Sequence, residues 1–104
     1  MSLKGAQKKA LRSIGHHLNP VVLVSENGLS EGLLKEVDRA LNDHELIKIR
    51  FVITERDERA ALIEQLAKQV QAEVVQTIGK MALFYRPAKK PNPKLSNLLR
   101  FQES

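Results

Sequence analysis

The sequence predicts a single α/β domain whose elements follow one another as helix, strand, helix, strand, helix, strand, strand. Three stretches repeat apolar residues at three- and four-residue intervals, and four short runs are rich in β-branched or aromatic residues. Each strand-helix-strand crossover should place its two strands parallel and right-handed, whereas the closing hairpin must be antiparallel. We therefore expect a mixed four-stranded sheet covered by helices.

The first helix is predicted over residues 3–18, with Ser2 as its N-cap and apolar side chains recurring on one face. Pro20 follows Asn19, and a residue before proline avoids the helical region, so the helix should end there. Residues 21–24 form an uninterrupted apolar run of the kind found in strands buried on both faces. Residues 25–28 then predict a tight turn.

The second helix should begin after Ser30, whose hydroxyl can cap it, with Glu31 in its first turn. Leu29 and Leu34 stand at the spacing of a hydrophobic staple. The apolar stripe continues to about residue 42, and a strand is predicted over residues 46–53. Its odd positions are apolar, and its even positions include Lys48 and Arg50, so one face of this strand carries a charged patch.

A third helix is predicted after Thr54 as N-cap, with acidic residues in its first turn and an apolar inner face reaching Val70. Two strands over residues 74–78 and 81–85 flank Gly79-Lys80, which suits a two-residue hairpin. The proline- and lysine-containing segment from residue 88 predicts an extended basic tail. We therefore divide the chain into a domain over residues 1–87 and a tail over residues 88–104.

The composition excludes several classes of protein. Of 104 residues, 42% are hydrophobic, which is enough for one packed core, and none is cysteine. A disulfide framework, a thiolate nucleophile and a sulfur-ligated zinc site are therefore excluded. No apolar run is long enough to cross a bilayer or to serve as a signal peptide. We expect a cytoplasmic protein without a membrane partner.

The charges are segregated along the chain. Residues 1–24 carry a formal charge of +4, residues 25–79 carry −4, and residues 80–104 carry +5, within a net charge of +5. Solubility alone would not require such segregation. Both ends of the chain are therefore expected to meet an anion.

The first helix concentrates its cations on one stripe. Lys4, Lys8, Arg12 and His16 follow one another at four-residue spacing, and Lys9 lies close by. Like charges at this spacing repel one another, and a bound polyanion would relieve the repulsion. The alternative is an ordinary solvated helix face.

Catalytic and metal-binding patterns do not emerge from the sequence. His16 and His17 point about 100° apart on a helix, and neither they nor His44 have ligands at metal-binding spacing. The acidic residues after Thr54 are explained by the helix dipole. The four aromatic residues do not form the base-stacking platform of an RRM sheet. We expect a protein without enzymatic activity, metal or cofactor.

Five motifs in consistent order carry a family resemblance: HHLNPVV at residues 16–22, NGLSEG at 27–32, HELIK at 44–48, QTIGK at 76–80 and LFYRP at 83–87. From about residue 3 to residue 87 the chain resembles the bacterial YhbY-like proteins, which are stand-alone versions of the CRM (chloroplast RNA splicing and ribosome maturation) domain. The resemblance implies an RNA-binding module associated with precursors of the large ribosomal subunit. It also implies a fold similar to the C-terminal domain of bacterial translation initiation factor three.

The resemblance further implies an RNA-contacting loop similar to the G-x-x-G loop of KH domains. That loop maps onto Ser25, Glu26, Asn27 and Gly28, with serine at the first position where the family usually has glycine. Two possibilities remain open at this point. Either Ser25 adopts the backbone conformation that the loop requires, or RNA contact shifts toward the basic helix.

The expected function is RNA binding during assembly of the large ribosomal subunit, with ribosomal RNA or its precursor particle as the partner of a monomer. The alternatives are a general nucleic-acid binder without a ribosomal role and a protein-interaction module anchored by Leu95, Leu98, Leu99 and Phe101. The residues expected to contact RNA are Lys4, Lys8, Lys9, Arg12, His16, Ser25, Glu26, Asn27, Gly28, Lys80, Arg86, Lys89 and Lys90.

Overall fold

The computed structural model describes residues 5–91 and 95–98. These residues form a four-stranded sheet in the order β1-β2-β4-β3, in which β1 is parallel to β2 and the two other pairings are antiparallel. The predicted order of elements and the mixed sheet are confirmed. The elements are α1 (Gly5–Gly15), β1 (Pro20–Val24), α2 (Glu31–His44), β2 (Leu46–Phe51), α3 (Arg56–Gln69), β3 (Glu73–Ile78) and β4 (Met81–Tyr85).

The main hydrophobic core lies between one face of the sheet and the pair α2 and α3. The odd positions of β2 point into it, as their alternation predicts, and Phe51 lies 6.5 Å from Phe84 between ring centroids. Val37 and Leu41 of α2 and Leu66 of α3 complete its fully buried centre. This face of the sheet is closed to solvent by the two helices.

The other face of the sheet is covered only in part. Here α1 packs Leu11 against a smaller cluster formed by Leu46, Val75 and Leu83, with Leu98 at its margin. The even positions of β2 point to this side, and they change from buried Leu46 to exposed Arg50 along the strand. One half of this face is therefore open.

The prediction that residues 21–24 are buried on both faces is wrong. Val22 and Val24 enter the main core, but Val21 and Leu23 are 47% and 55% exposed. The reason is topological: β1 is an edge strand, and α1 does not reach over it. A local apolar run cannot reveal its strand's position in the sheet.

The predicted N-cap of α2 is confirmed, whereas the predicted N-cap of α3 is wrong. The Ser30 hydroxyl accepts a hydrogen bond from the Leu33 N–H at 3.1 Å, as expected of the N-cap of α2. In α3 the cap is Glu55 instead of Thr54, because the Glu55 carboxylate accepts from the N–H groups of both Asp57 and Glu58. Ser2, the predicted cap of the first helix, lies outside the described residues.

Residues 95–98 pack against the domain. Ser96 and Asn97 are buried, and the Asn97 amide donates to the Leu46 carbonyl oxygen at 2.6 Å. The Ser96 hydroxyl donates to the Glu45 carboxylate at 2.7 Å, and His44 Nδ1 donates to the Leu95 carbonyl oxygen at 2.8 Å. We call this set of contacts the Glu45 clasp. Of the predicted apolar anchor, Leu98 is partly buried in the α1 cluster, while Leu99 and Phe101 lie outside the described residues.

Candidate nucleic-acid interface

Strand register aligns a row of side chains across the open half of the sheet. Leu23 of β1 pairs with Arg50 of β2, Arg50 pairs with Met81 of β4, and Met81 pairs with Ile78 of β3. Ile78 is 55% exposed, like Leu23. The row therefore places two exposed apolar side chains and the half-buried Met81 around one guanidinium.

A second row lies nearer to α1. Lys48 of β2 pairs with Leu83 of β4, and Leu83 pairs with Gln76 of β3. The last residue of α1 sits directly on this row, since a Cβ atom at Gly15 would overlap the side chain of Leu83. Glycine is required there because the helix backbone approaches the sheet so closely. The close approach brings the next residue, His16, beside Lys48.

The basic stripe of α1 reaches the open half of the sheet at the C-terminal end of the helix. His16 shares a depression with Lys48 and Ile78, and Arg12 and Lys8 precede it at four-residue intervals on the same side of the helix. Lys9 is exposed on the outer side of α1. Lys4, the first predicted member of the stripe, lies outside the described residues.

Lys48 and Arg50 belong to this basic surface although they are not among the site residues predicted from the sequence. The alternation of β2 already indicated a charged face, but the sequence could not show that α1 lies on that same face. Among residues 5–91 and 95–98, the cationic side chains that have neither an ion pair nor a hydrogen bond include Lys8, Lys9, Arg12, Lys48, Arg50 and Lys80. We refer to these six side chains, together with His16, as the basic face.

The turn that follows β1 is closed by its own hydrogen bonds. The Gly28 N–H donates to the Ser25 carbonyl oxygen at 3.0 Å, and the Asn27 N–H donates to the Ser25 hydroxyl at 3.3 Å. Gly28 has φ of 78°, which suits glycine, whereas Ser25 has no positive φ. Serine therefore fits the first position of this loop without backbone strain. The Glu26 side chain is exposed at the tip.

This turn and Lys80 lie at the same end of the sheet. The Val52 N–H donates to the Val24 carbonyl oxygen at 2.9 Å, and the Phe51 N–H donates to the Lys80 carbonyl oxygen at 2.7 Å. The last residues of β1 and β2 and the β3-β4 hairpin thus converge. We call this the hairpin end, and Arg50 lies on it. The structure therefore brings the predicted loop and Lys80 to the same end of the sheet.

Arg86 has a different environment from the cations of the basic face. Its guanidinium donates to the Asp38 carboxylate at 2.7 Å, to the Asn42 side chain at 2.9 Å and to the carbonyl oxygens of Val70 and Asp38 at 2.8 and 3.0 Å. Four of its five N–H donors are therefore used within the protein. Its side chain is 19% exposed and joins β4 to α2 and α3.

Lys89 and Lys90 follow Arg86 and lie with it beside Asp38 and Asn42 of α2. This is the opposite end of the sheet from Lys80, since Tyr85 pairs with Leu46 at the start of β2. Five residues of strand separate the two ends by roughly 17 Å. The structure does not bring Lys89 and Lys90 together with the basic face.

The side of the molecule formed by α2 has the opposite electrostatic character. Helix α1 carries three cations and no acidic residue, whereas α2 carries two cations and four acidic residues. Both cations of α2 are in ion pairs with carboxylates of the same helix. Within the described part of the chain, no group of histidine and carboxylate side chains is arranged to hold a metal ion. The helices described there include none that could cross a membrane.

The fold and the charge distribution together define the class of protein. It is a small α/β domain with a half-covered sheet and a basic helix beside that sheet. The CRS1/YhbY (CRM) domain family matches residues 3–86, which is most of the chain. The protein belongs to this family, as the resemblance of its sequence motifs implied.

Individual relatives agree with this assignment. A Pseudomonas aeruginosa protein named "Probable RNA-binding protein PA4753" is 57% identical over 101 residues, covering 97% of each chain. A Haemophilus influenzae protein named "RNA-binding protein" is 40% identical over 94 residues, covering 90% of this chain and 95% of the relative. The solution structure of SAV1595 from Staphylococcus aureus superimposes with a TM-score of 0.76 at 34% identity, covering 91% of this chain and 98% of the other.

Proposed function

We propose that the protein binds RNA through the basic face and the hairpin end of the sheet. The observation that carries the proposal is the convergence of unpaired cations from α1 and β2 on one side of the domain, away from the acidic α2. An extended set of unpaired cations is the usual surface for a phosphate backbone. The names of the two bacterial relatives support RNA as the polyanion.

Each part of the surface has a different task in this proposal. Lys8, Arg12 and Lys48 neutralise phosphates along the flank of α1, and Arg50 and Lys80 extend the path to the hairpin end. The Ser25 to Gly28 turn approaches the RNA backbone beside them. Its Asn27 and Gly28 N–H groups are already bonded within the turn, so the cations supply most of the attraction. Arg86 stabilises the fold, and Lys89 and Lys90 lie outside this path.

The binding mode is tested by the salt dependence of affinity. If about five phosphates are neutralised, log K should fall with log salt at a slope near −3.5 on single-stranded RNA or −4.5 on a duplex. Fluorescence anisotropy of labelled RNA over a series of potassium chloride concentrations measures this slope. A salt-independent affinity would contradict a phosphate-directed interface.

We further propose that the RNA is that of the large ribosomal subunit and that the protein acts in the cytoplasm during assembly of this subunit. The family resemblance of the sequence motifs supports this step. Ultraviolet crosslinking in cells, followed by sequencing of the bound fragments, should recover large-subunit ribosomal RNA above all other transcripts. An even distribution over transcripts would support the general nucleic-acid binder instead.

A further inference from the structure

A small pocket opens between the C-terminal turn of α1 and the exposed half of the sheet. Its volume is about 100 Å³, and it sits inside the proposed RNA interface. Leu83 is almost fully buried at its floor, and Ile78 is exposed at its mouth. The side chains that line it are His16, Lys48, Gln76, Ile78, Met81 and Leu83.

The pocket depends on the close approach of α1 to β4. Gly15 has no side chain, so the helix backbone itself forms one wall and leaves the space over Gln76 and Met81 open. Side-chain atoms at this position would meet the buried Leu83 before they could reach solvent. The space is therefore a product of the helix-sheet packing and not of a surface loop.

The lining combines apolar residues with polar groups on both sides of Leu83, since Lys48 lies on β2 and Gln76 on β3. Ile78, Met81 and Leu83 provide apolar surface for the faces of a planar ring. The Gln76 amide can both donate and accept hydrogen bonds, and the Lys48 ammonium can donate them. The residues described around the pocket include no carboxylate, so nothing there repels an anionic chain.

The size of the pocket limits its occupant. Pockets for drug-sized ligands have volumes of about 300–1,000 Å³, so a pocket of about 100 Å³ admits one flat ring and not a whole nucleotide. The sugar and phosphate of such a ring would remain outside, beside Lys48, Arg50 and the α1 stripe. The apolar walls, the hydrogen-bonding groups and the surrounding cations match the three parts of a nucleotide.

We propose that this pocket receives one unpaired base of the bound RNA. The inference rests on the proposed function and adds the class of RNA, because a duplex keeps its bases stacked and cannot offer a ring to a pocket on a protein surface. The ligand is therefore a single strand, loop or bulge.

The test compares two RNAs that differ only in their bases. A single-stranded oligouridylate and an abasic strand with the same number of phosphates are titrated by fluorescence anisotropy at one salt concentration. The wild-type protein should bind the oligouridylate about fivefold or more tightly, which is the gain expected from one ordinary hydrogen bond between the base and the pocket. Gln76→Ala should bring this ratio toward one while affinity for the abasic strand stays unchanged.

Two further variants make the result specific. Gln65→Ala changes an exposed glutamine on α3 and should keep the wild-type ratio. Ile78→Thr keeps a β-branched residue on the strand while it removes apolar surface from the mouth, and it should lower the ratio as Gln76→Ala does. If both pocket variants keep the full ratio, the base is bound elsewhere and the inference is overturned.

The failure of this inference can be told from failure of the proposed function. Equal binding of both strands by the wild-type protein would overturn the base pocket while RNA binding stands. Absence of binding to either strand would overturn the proposed function together with the pocket.

Discussion

Two arginines at opposite ends of the sheet show how environment decides the role of a charge. Arg50 lies at the hairpin end, exposed, without a hydrogen bond or ion pair among residues 5–91 and 95–98. Arg86 lies at the other end, 19% exposed, and donates four hydrogen bonds to α2 and the end of α3. The first charge is available to a ligand, whereas the second is used to hold the domain together.

The difference follows from the cost of removing a charge from water. A largely buried guanidinium is tolerated only when hydrogen bonds replace its hydration, and Arg86 has a carboxylate, an amide and two carbonyl oxygens. Arg50 keeps its hydration and has no such requirement. Its partners on the neighbouring strands are the apolar residues Leu23 and Met81, so its guanidinium projects into solvent between them.

The largest expected effect is the loss of stability on Arg86→Ala. The substitution removes four hydrogen bonds and leaves the Val70 carbonyl oxygen without its side-chain donor, and we expect the free energy of unfolding to fall by about 2–4 kcal/mol. The ion pair contributes only a minor share, since Asp38 is 55% exposed. Urea denaturation followed by circular dichroism measures the change.

Arg50→Ala is the matched control for this comparison. Because Arg50 is exposed and has no partner among the described residues, its stability change should stay within about 0.5 kcal/mol. Equal destabilisation by the two variants would contradict the contrast between the two ends of the sheet.

The next effect concerns the Glu45 clasp. Ser96→Ala removes a hydroxyl that donates to the Glu45 carboxylate in a buried position, and we expect a loss of about 1–3 kcal/mol. Ser13→Ala, which changes an exposed serine on α1, provides the control. A stability unchanged by Ser96→Ala would show that the hydrogen bond between Ser96 and Glu45 adds nothing to the fold.

On the basic face, the expected effect of a substitution is on RNA binding and not on stability. Replacing Lys48 and Arg50 together by glutamine should reduce the salt slope for single-stranded RNA by about 1.4, because each lost phosphate contact removes about 0.7. Lys68→Gln, on the exposed side of α3, should leave the slope unchanged. A double variant with the wild-type slope would exclude these two residues from the interface.

The smallest expected effect is a pH dependence of stability, which arises from Tyr85 at the end of the sheet where Arg86 lies. Burial, followed by the nearby Glu45 carboxylate, raises the pKa of Tyr85 above its ordinary value of 10.0. The neutral phenol is therefore favoured in the folded state. The contribution of the neutral phenol to the free energy of unfolding is fully present below pH 10, and it is lost as the pH rises through the raised pKa.

The chain has only one tyrosine, so ultraviolet absorbance of the phenolate follows Tyr85 directly. The titration should be displaced upward in the folded protein relative to the protein in urea. Tyr85→Phe should lessen the loss of stability above pH 10. An undisplaced titration would contradict the burial of the phenol beside Glu45.

The fold was predictable because its signals are local. Periodicity, the Ser30 cap and the hairpin at Gly79 are properties of neighbouring residues, and the sheet followed from the rules for crossovers. The exposure of Leu23 was not predictable in this way, because it depends on which strand lies at the edge and where α1 crosses the sheet.

Only the part of the candidate site that is formed by residues close together in the sequence was predictable. The α1 stripe is visible as a spacing, but its junction with Lys48 and Arg50 requires the packing of α1 on the sheet. The role of Arg86 depends on Asp38 and Asn42, which are 48 and 44 residues away. Partners at such separations give no pattern in a single sequence.

The Glu45 clasp also sets an order of events during synthesis of the protein. Glu45 has φ of 63°, a conformation that costs a residue other than glycine about 1–3 kcal/mol, and its partner Ser96 is 51 residues further along the chain. At about 5–20 residues per second, the ribosome delivers Ser96 several seconds after Glu45. The last strand, β4, is complete before then, so the hairpin end can assemble while the opposite end still lacks its final stabilising contact.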